Sequence, residues 1–239
     1  MRVAILGDGL LGSELAKQTG WDVISRKKNG FDITNTEEWD KHFIEVFDGI
    51  AKLTKYDIII NCIANTQTYS TDKKAHWEVN YKGTADLVDY CNKHDIKLVH
   101  ISTDYVYTNS DSYVAEDEVP IHGNNWYSYT KLLADGYVEL RSNNYIICRE
   151  THKPFPFPYE EAWVDQVGNF DYVDVISNII IDLIENDAKG VYNVGTELKS
   201  MFDLAKITNP DVNSVLKNNN IPSNTSMNLL KLYDFYNNL

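Results

Sequence analysis

A doubly wound, parallel α/β sheet of Rossmann type followed by a small C-terminal lobe is the fold this sequence predicts. Three observations predict it. Short Val- and Ile-rich runs alternate with longer amphipathic stretches over the first two-thirds of the chain. Those runs are apolar nearly throughout, as strands covered on both faces are. A glycine-rich turn, Gly7-x-Gly9-x-x-Gly12, joins the first run to the first amphipathic stretch.

Taken in order, "RVAIL" (2–6), "DVIS" (22–25), "YDIIINCIA" (56–64), "IKLVHIS" (96–102) and "YIICR" (145–149) read as strands. "NTEEWDKHFIEVFDGIAKL" (35–53) opens with cap-type residues and early glutamates, so it reads as a helix. "AHWEVNYKGTADLVDYCNKH" is a second helix, with Trp77, Tyr81, Leu87, Val88 and Cys91 near one face; "WYSYTKLLADGYVELRS" is a third. The β-α-β rhythm argues the doubly wound sheet. After Arg149 the rhythm breaks. "THKPFPFPYEEAW" has three prolines and cannot be a regular helix. "DYVDVISNIIIDLIEND" and "SMFDLAKI" read as helices around a short strand, "GVYNVG", and the Asn-rich tail holds one late helix. The expected division is 1–150 for the Rossmann domain and 151–239 for the small lobe, with about 171–207 packing back on the first domain.

Composition narrows the function. The 239 residues are 43% hydrophobic, enough for a real core, and carry a net charge of −13. That balance argues against nucleic acid or an anionic membrane as a partner. Cys62, Cys91 and Cys148 are odd in number and lack C-x-x-C spacing, so buried free thiols in a reducing compartment are expected. No leader pattern and no membrane-length apolar run is seen, and a cytoplasmic protein is expected. No His/Cys/Asp cluster has metal-ligand spacing, and no metal is expected.

The glycine turn has a physical logic. Gly7 permits the tight turn, Gly9 lets backbone approach a pyrophosphate, and Gly12 allows close helix–strand packing. Amides at the helix N-terminus, with the helix dipole, favour phosphate charge. This is the pattern of a dinucleotide site. The second strand ends in Arg26-Lys27-Lys28 with no carboxylate in place, and Asp22 stands at its beginning. Cations there suit a 2′-phosphate, so NADPH is the first choice and NADH the second.

Two segments carry the candidate chemistry. "LVHISTDYVY" (98–107) places Ser102, Thr103 and Asp104 at the end of a buried strand, where open α/β sheets bind ligands. "WYSYTK" puts Tyr127 and Lys131 four apart at the start of a helix, on one face. Spacing alone is weak, because 16 tyrosines make roughly one chance match, and Tyr69 with Lys73 is a second.

The chain resembles the extended short-chain dehydrogenases/reductases, and within them the dTDP-4-dehydrorhamnose reductases. The residues that carry the resemblance are "VHISTDYVY", "YSYTK", "ANT" (64–66), "EVNYKGTADL", "FDIT" (31–34), "WVDQVGNFDYVDVI" and "IPSNTSMN". The resemblance implies hydride transfer to the C4 ketone of a nucleotide-linked 4-keto-6-deoxy sugar, with Tyr127 as general acid, Lys131 holding the nicotinamide ribose and favouring the phenolate, and Thr103 bonding the reacting oxygen. Tyr69 is then the decoy. It further implies that Gly9, Leu10 and Leu11 line the pyrophosphate, Asp32 and Ile33 border the adenine, and Ala64, Asn65 and Thr66 run along the cofactor. Asn80 would fix a helix. Asp104 falls to the substrate; His152, at a position where the chain departs from the family, reads either as a hydrogen-bond partner of the sugar or as the cap of a loop, and a homodimer is an open assembly. Where the family reads Arg-Thr-Ser-Trp, this chain reads Arg149-Glu150-Thr151-His152, and Ile221 stands where the family tends to place an arginine. The stretch from His152 to Trp163 is shorter than in the family, so the C-terminal substrate lobe is reduced. Two alternatives stand beside the reductase: a UDP-sugar epimerase/reductase, and a non-catalytic NADP-binding subunit similar to the methionine adenosyltransferase β subunit.

Overall fold

The computed structural model describes residues 1–47 and 51–239. The chain divides into two compact units, one of residues 1–101 and 124–147, the other of residues 102–123 and 148–239.

The main sheet comprises β1 (Val3–Leu6), β2 (Asp22–Ile24), β5 (Ile58–Asn61), β6 (Lys97–Ile101), β7 (Tyr145–Arg149) and β12 (Gly190–Asn193), in the order β12-β7-β6-β5-β1-β2. β1 pairs parallel with β2 and β5, and β5 with β6. The doubly wound expectation therefore holds. β1, β5 and β6 are buried at every residue, which is why they read as unbroken apolar runs. The order reverses at β1, with β2 on one side and β5 on the other. A crevice at the carboxyl ends of strands at such a switch point is where these sheets bind ligands.

In the first unit, α1 (Leu10–Thr19) buries Leu11 and Leu15 and stops at Gly20, which takes the left-handed conformation. α2 (Arg26–Asn29) is one turn, its N-terminus capped by Ser25. The helix expected over 35–53 is not formed. A 3-10 turn and α3 (Trp39–Phe43) bury Trp39 and Phe43, and then β3 (Ile44–Phe47) pairs antiparallel with β4 (Ala51–Thr54). The apolar spacing at 39, 43, 46 and 47 mimics a helical stripe; residues 48–50 lie outside the described residues. α4 (Lys73–His76) runs through a π-helical segment, Trp77–Lys82, into α5 (Gly83–His94). The wider π turn shifts the helical face. Leu87, Val88 and Cys91 are therefore buried as expected, whereas Trp77 is exposed and lies against Tyr81 with ring centroids 4.6 Å apart. α6 (Trp126–Arg141) is capped by Asn125, whose side chain accepts the Ser128 N–H.

In the second unit, short strands replace the proline-rich helix that the sequence rules out. β8 (His152–Lys153) pairs with β11 (Asp171–Tyr172), and β9 (Glu161–Trp163) with β14 (Asn213–Val215). β10 (Val167–Gly168) pairs with both β13 (Lys199–Ser200) and β15 (Asn224–Thr225). α7 (Val173–Glu185) buries Ile176, Ile180 and Leu183, α8 (Met201–Thr208) opens on a Ser200–Asp203 capping box, and α9 (Leu230–Asn237) buries Leu232. Phe157, Phe170, Tyr172, Met201 and Leu204 share one core cluster. Cys91 and Cys148 are buried free thiols, and Cys62 is a half-buried one. Among the described residues no helix is long and apolar enough to cross a membrane, and no group of acidic, His and Cys side chains is placed to hold a metal.

Candidate active site

Every residue expected to touch a dinucleotide lies in the first unit. Gly7 follows β1 with φ +98°, a conformation that L side chains rarely adopt. Its N–H donates to the Ile24 carbonyl at 2.9 Å, closing the turn against β2. A Cβ on Gly12 would collide with the Gly7 carbonyl oxygen, whereas a Cβ on Gly9 would meet open space. Gly9 caps α1 in an extended conformation without a side-chain hydrogen bond. No carboxylate stands in the first turn of α1, where Leu10 is exposed and Leu11 buried. An open backbone, a positive helix end and no competing side-chain cap fit a phosphate group.

Arg26 is largely exposed, and its Nη2 lies 2.6 Å from Asp32 Oδ2. Burial raises the Asp32 carboxyl, but bonds from the Thr34 backbone and hydroxyl, together with the Arg26 charge, outweigh it and hold it below the usual carboxylate range. Asp32 therefore partly offsets the Arg26 charge. Ile33 is buried and packs where Gly83 has no side chain.

The segment after β5 is built into the same crevice. Ile63 Cγ1 would lie 3.1 Å from a Cβ on Gly7, so the two strand ends are neighbours. Ala64 and Asn65 are half-buried and Thr66 is exposed. The Asn65 N–H donates to Asn80 Oδ1 at 2.7 Å, and Asn80 Nδ2 donates back to the Asn65 carbonyl at 3.2 Å. The same amide reaches Thr130 Oγ1 on α6 and His76 Nδ1, both at 3.3 Å. Asn80 sits in the π segment, a distortion common at functional positions.

Tyr127 lies half-buried in the first turn of α6, with its ring edge-on to His76 at 6.5 Å between centroids. Lys131, one turn further, is buried, and its Nζ donates to the Ile101 carbonyl at 2.6 Å, at the carboxyl end of β6. The rival pair differs. Tyr69 is exposed in a loop, and the Lys73 ammonium lies over the Trp126 ring at 5.0 Å.

The second unit holds the remaining candidates. Thr103 is buried, and its hydroxyl accepts the Tyr105 N–H at 3.2 Å while donating to Asp104 Oδ1 at 3.3 Å. Asp104 also accepts from Thr151 Oγ1. Burial raises its carboxyl, and the bond from Thr151 and the Lys153 charge offset part of that rise. Glu150 and Lys153 were not marked by the sequence reading. Glu150 is buried and contacts His152 Nδ1 at 2.9 Å. Burial opposes charge on that imidazole, yet the Glu150 carboxylate outweighs it, and the His152 pKa is raised. Burial lowers the Lys153 ammonium against the pull of Asp104 and Glu150. A cavity of about 680 Å³ is lined by Lys153, Phe157, Tyr159, Trp163 and Met201. The only sequence signal for Glu150 and Lys153 was their charge beside a buried strand end.

Fold and site together define a Rossmann-type α/β protein with an open glycine-rich turn and a Tyr–Lys pair beside the sheet's carboxyl edge. Residues 1–152 match the RmlD substrate binding domain family, and the chain belongs to that family. It is 31% identical over 179 residues to the dTDP-4-dehydrorhamnose reductase of Mycolicibacterium smegmatis, covering 70% of this chain and 47% of that protein. The chain thus spans about half the length of this curated relative. Among solved structures, the dTDP-4-dehydrorhamnose reductase of Bacillus anthracis in complex with NADP superposes with a TM-score of 0.80 at 24% identity, over 98% of this chain and 91% of that one. The Clostridium acetobutylicum dTDP-4-dehydrorhamnose reductase ortholog gives 0.80 at 21%, over 99% and 93%. The UDP-glucuronic acid 4-epimerase of Bacillus cereus, in complex with NAD, gives 0.73 at 20%, over 98% and 89%. These likenesses establish the fold.

Proposed function

We propose that this chain is an NADPH-dependent reductase of a nucleotide-linked 4-keto-6-deoxy sugar, of the dTDP-4-dehydrorhamnose reductase type. One observation carries the reading: Tyr127 and Lys131 share a face of α6, with Lys131 anchored at the carboxyl edge of β6, in the unit that also bears the open glycine turn. The names of the relatives point the same way.

Gly7, Gly9, Leu10, Leu11 and Gly12 would hold the pyrophosphate, and Arg26 the 2′-phosphate, with NADH the weaker choice. Asp32 and Ile33 would border the adenine, and Ala64, Asn65 and Thr66 would run beside the cofactor. When bound, the reduced nicotinamide supplies a hydride to the carbonyl carbon. Tyr127 donates its phenolic proton to the carbonyl oxygen as charge develops there. Lys131 places an ammonium beside the phenol, which favours the phenolate left behind. Thr103 and Asp104 keep the roles the family implies, toward the reacting oxygen and the sugar, and His152, where this chain departs from the family, would hydrogen-bond the sugar. The aromatic cavity with Lys153 at its wall is of a size for part of a nucleotide sugar. We place the protein in the cytoplasm, with a homodimer as one open assembly.

The test follows NADPH absorbance with dTDP- and UDP-linked 4-keto-6-deoxyhexoses. Turnover that Tyr127→Phe lowers by about 10²-fold or more supports the reading. NADPH binding without oxidation by any such ketone would instead favour a non-catalytic nucleotide-binding subunit and would sink the reductase.

A further inference from the structure

His100 stands in the middle of the main sheet, on β6, fully buried. A strand covered on both faces has no general use for an imidazole there; an apolar side chain would pack without desolvating two nitrogens. Burial, and next the nearby Lys131 ammonium, push its pKa well below the ordinary value, so the ring is neutral. Its Nε2 lies 3.3 Å from Lys131 Nζ. An ammonium only donates, so Nε2 is the acceptor and Nδ1 carries the proton. Among the described residues no partner accepts from Nδ1. What the ring gains in this position is therefore its bond to Lys131.

The same ammonium donates to the Ile101 carbonyl at 2.6 Å. Two of its three protons are thus directed by consecutive residues of one rigid strand. Asp135, fully buried one turn beyond Lys131, brings a carboxylate oxygen to 3.7 Å from His100 Nε2, beyond hydrogen-bond reach. The β5 residue in register with His100 is the uncharged Asn61.

We infer that His100 is a positioning residue: it orients the Lys131 ammonium for work beside Tyr127. The inference rests on the Tyr127/Lys131 reading above.

The experiment compares His100→Leu with His100→Gln. Leucine fills the core and cannot accept a proton; glutamine can present an oxygen near the Nε2 position. Three readouts are taken: kinetics with dTDP-4-dehydrorhamnose, NADPH affinity by calorimetry, and melting temperature. His100→Leu is expected to lower kcat by about tenfold and weaken NADPH several-fold, with the melting temperature unchanged or raised. His100→Gln is expected to recover kcat and affinity to within about threefold of the parent. A core-packing role predicts the opposite order, leucine tolerated and glutamine damaging, and that order overturns the inference. Equal losses in both variants, in step with melting temperature, also overturn it. If Tyr127→Phe is inactive while His100→Leu behaves as the parent, the inference alone falls. If Tyr127→Phe turns over normally, the underlying reading falls with it. If the parent turns over no ketone, the calorimetric comparison decides.

Discussion

Asn80 and Asn65 are joined by a reciprocal pair of hydrogen bonds, the Asn65 N–H to Asn80 Oδ1 at 2.7 Å and Asn80 Nδ2 to the Asn65 carbonyl at 3.2 Å. One amide side chain thereby replaces a strand partner for the backbone that leaves β5. The same amide reaches Thr130 on α6, so the segment after β5 and the helix of Tyr127 are tied to one side chain.

Replacing Asn80 by Ala therefore strands a backbone N–H and a carbonyl. The expected loss of stability is about 1–3 kcal/mol in denaturant unfolding, and NADPH affinity should drop alongside it. Asn80→Asp keeps the acceptor for the Asn65 N–H but faces the Asn65 carbonyl with a second acceptor in a buried site, so it should not restore the parent's stability. An alanine variant that matches the parent in both measurements would remove Asn80 from this role.

Gly12 has no room for a methyl group, because the Gly7 carbonyl oxygen fills the space. Gly12→Ala should push α1 away from the turn and lower stability by about 1–3 kcal/mol, whereas Gly9→Ala, in open space, should leave stability unchanged and act on NADPH affinity instead. Calorimetry on both variants checks this. Equal effects at the two positions would contradict the packing argument.

Arg26 and Asp32 form an exposed pair at 2.6 Å. Removing the guanidinium would leave a carboxylate beside the expected 2′-phosphate position. Arg26→Ala should lower the preference for NADPH over NADH by about tenfold, with NADH affinity little changed. The two dissociation constants give the ratio, and an unaltered preference excludes Arg26 from cofactor choice.

His152 and Glu150 set a pH dependence. Because the folded pKa of His152 is raised above 6.5, its pairing stabilises the fold fully below that value and fades as pH rises through the folded pKa. The melting-temperature gap between the parent and His152→Asn should therefore shrink steadily from about pH 6 to about pH 9. A gap that widens over that range reverses the assignment.

The parallel strands were legible because burial on both faces leaves no polar alternation; "IIIN" and "KLVHI" declare themselves in one dimension. The glycine turn was legible because each glycine answers a local steric demand. The β3–β4 hairpin was not, since Trp39, Phe43, Val46 and Phe47 satisfy helical spacing as well as a short helix followed by a strand. The Tyr127–Lys131 face follows from helix geometry alone, but the His100–Lys131 contact spans 31 residues and appears only once β6 and α6 are packed. The Glu150–His152 pair was near enough in sequence to find. It was passed over because the next-but-one spacing is meaningless until both residues are known to lie at a buried strand end.

Residues 102–123 interrupt the first unit and belong to the second. Tyr107 in that excursion accepts from Arg149 Nη1 and donates to Asn193 Oδ1, and Val106 and Val114 are buried with it. On the ribosome this stretch emerges some eighty residues ahead of Asn193, so nascent chains carry an unsheltered greasy loop until the segment around Asn193 has followed. Fragments ending near residue 150 inherit that exposed loop permanently, and trimming the gene to a minimal nucleotide-binding half is a recipe for inclusion bodies unless the excursion is bridged as well.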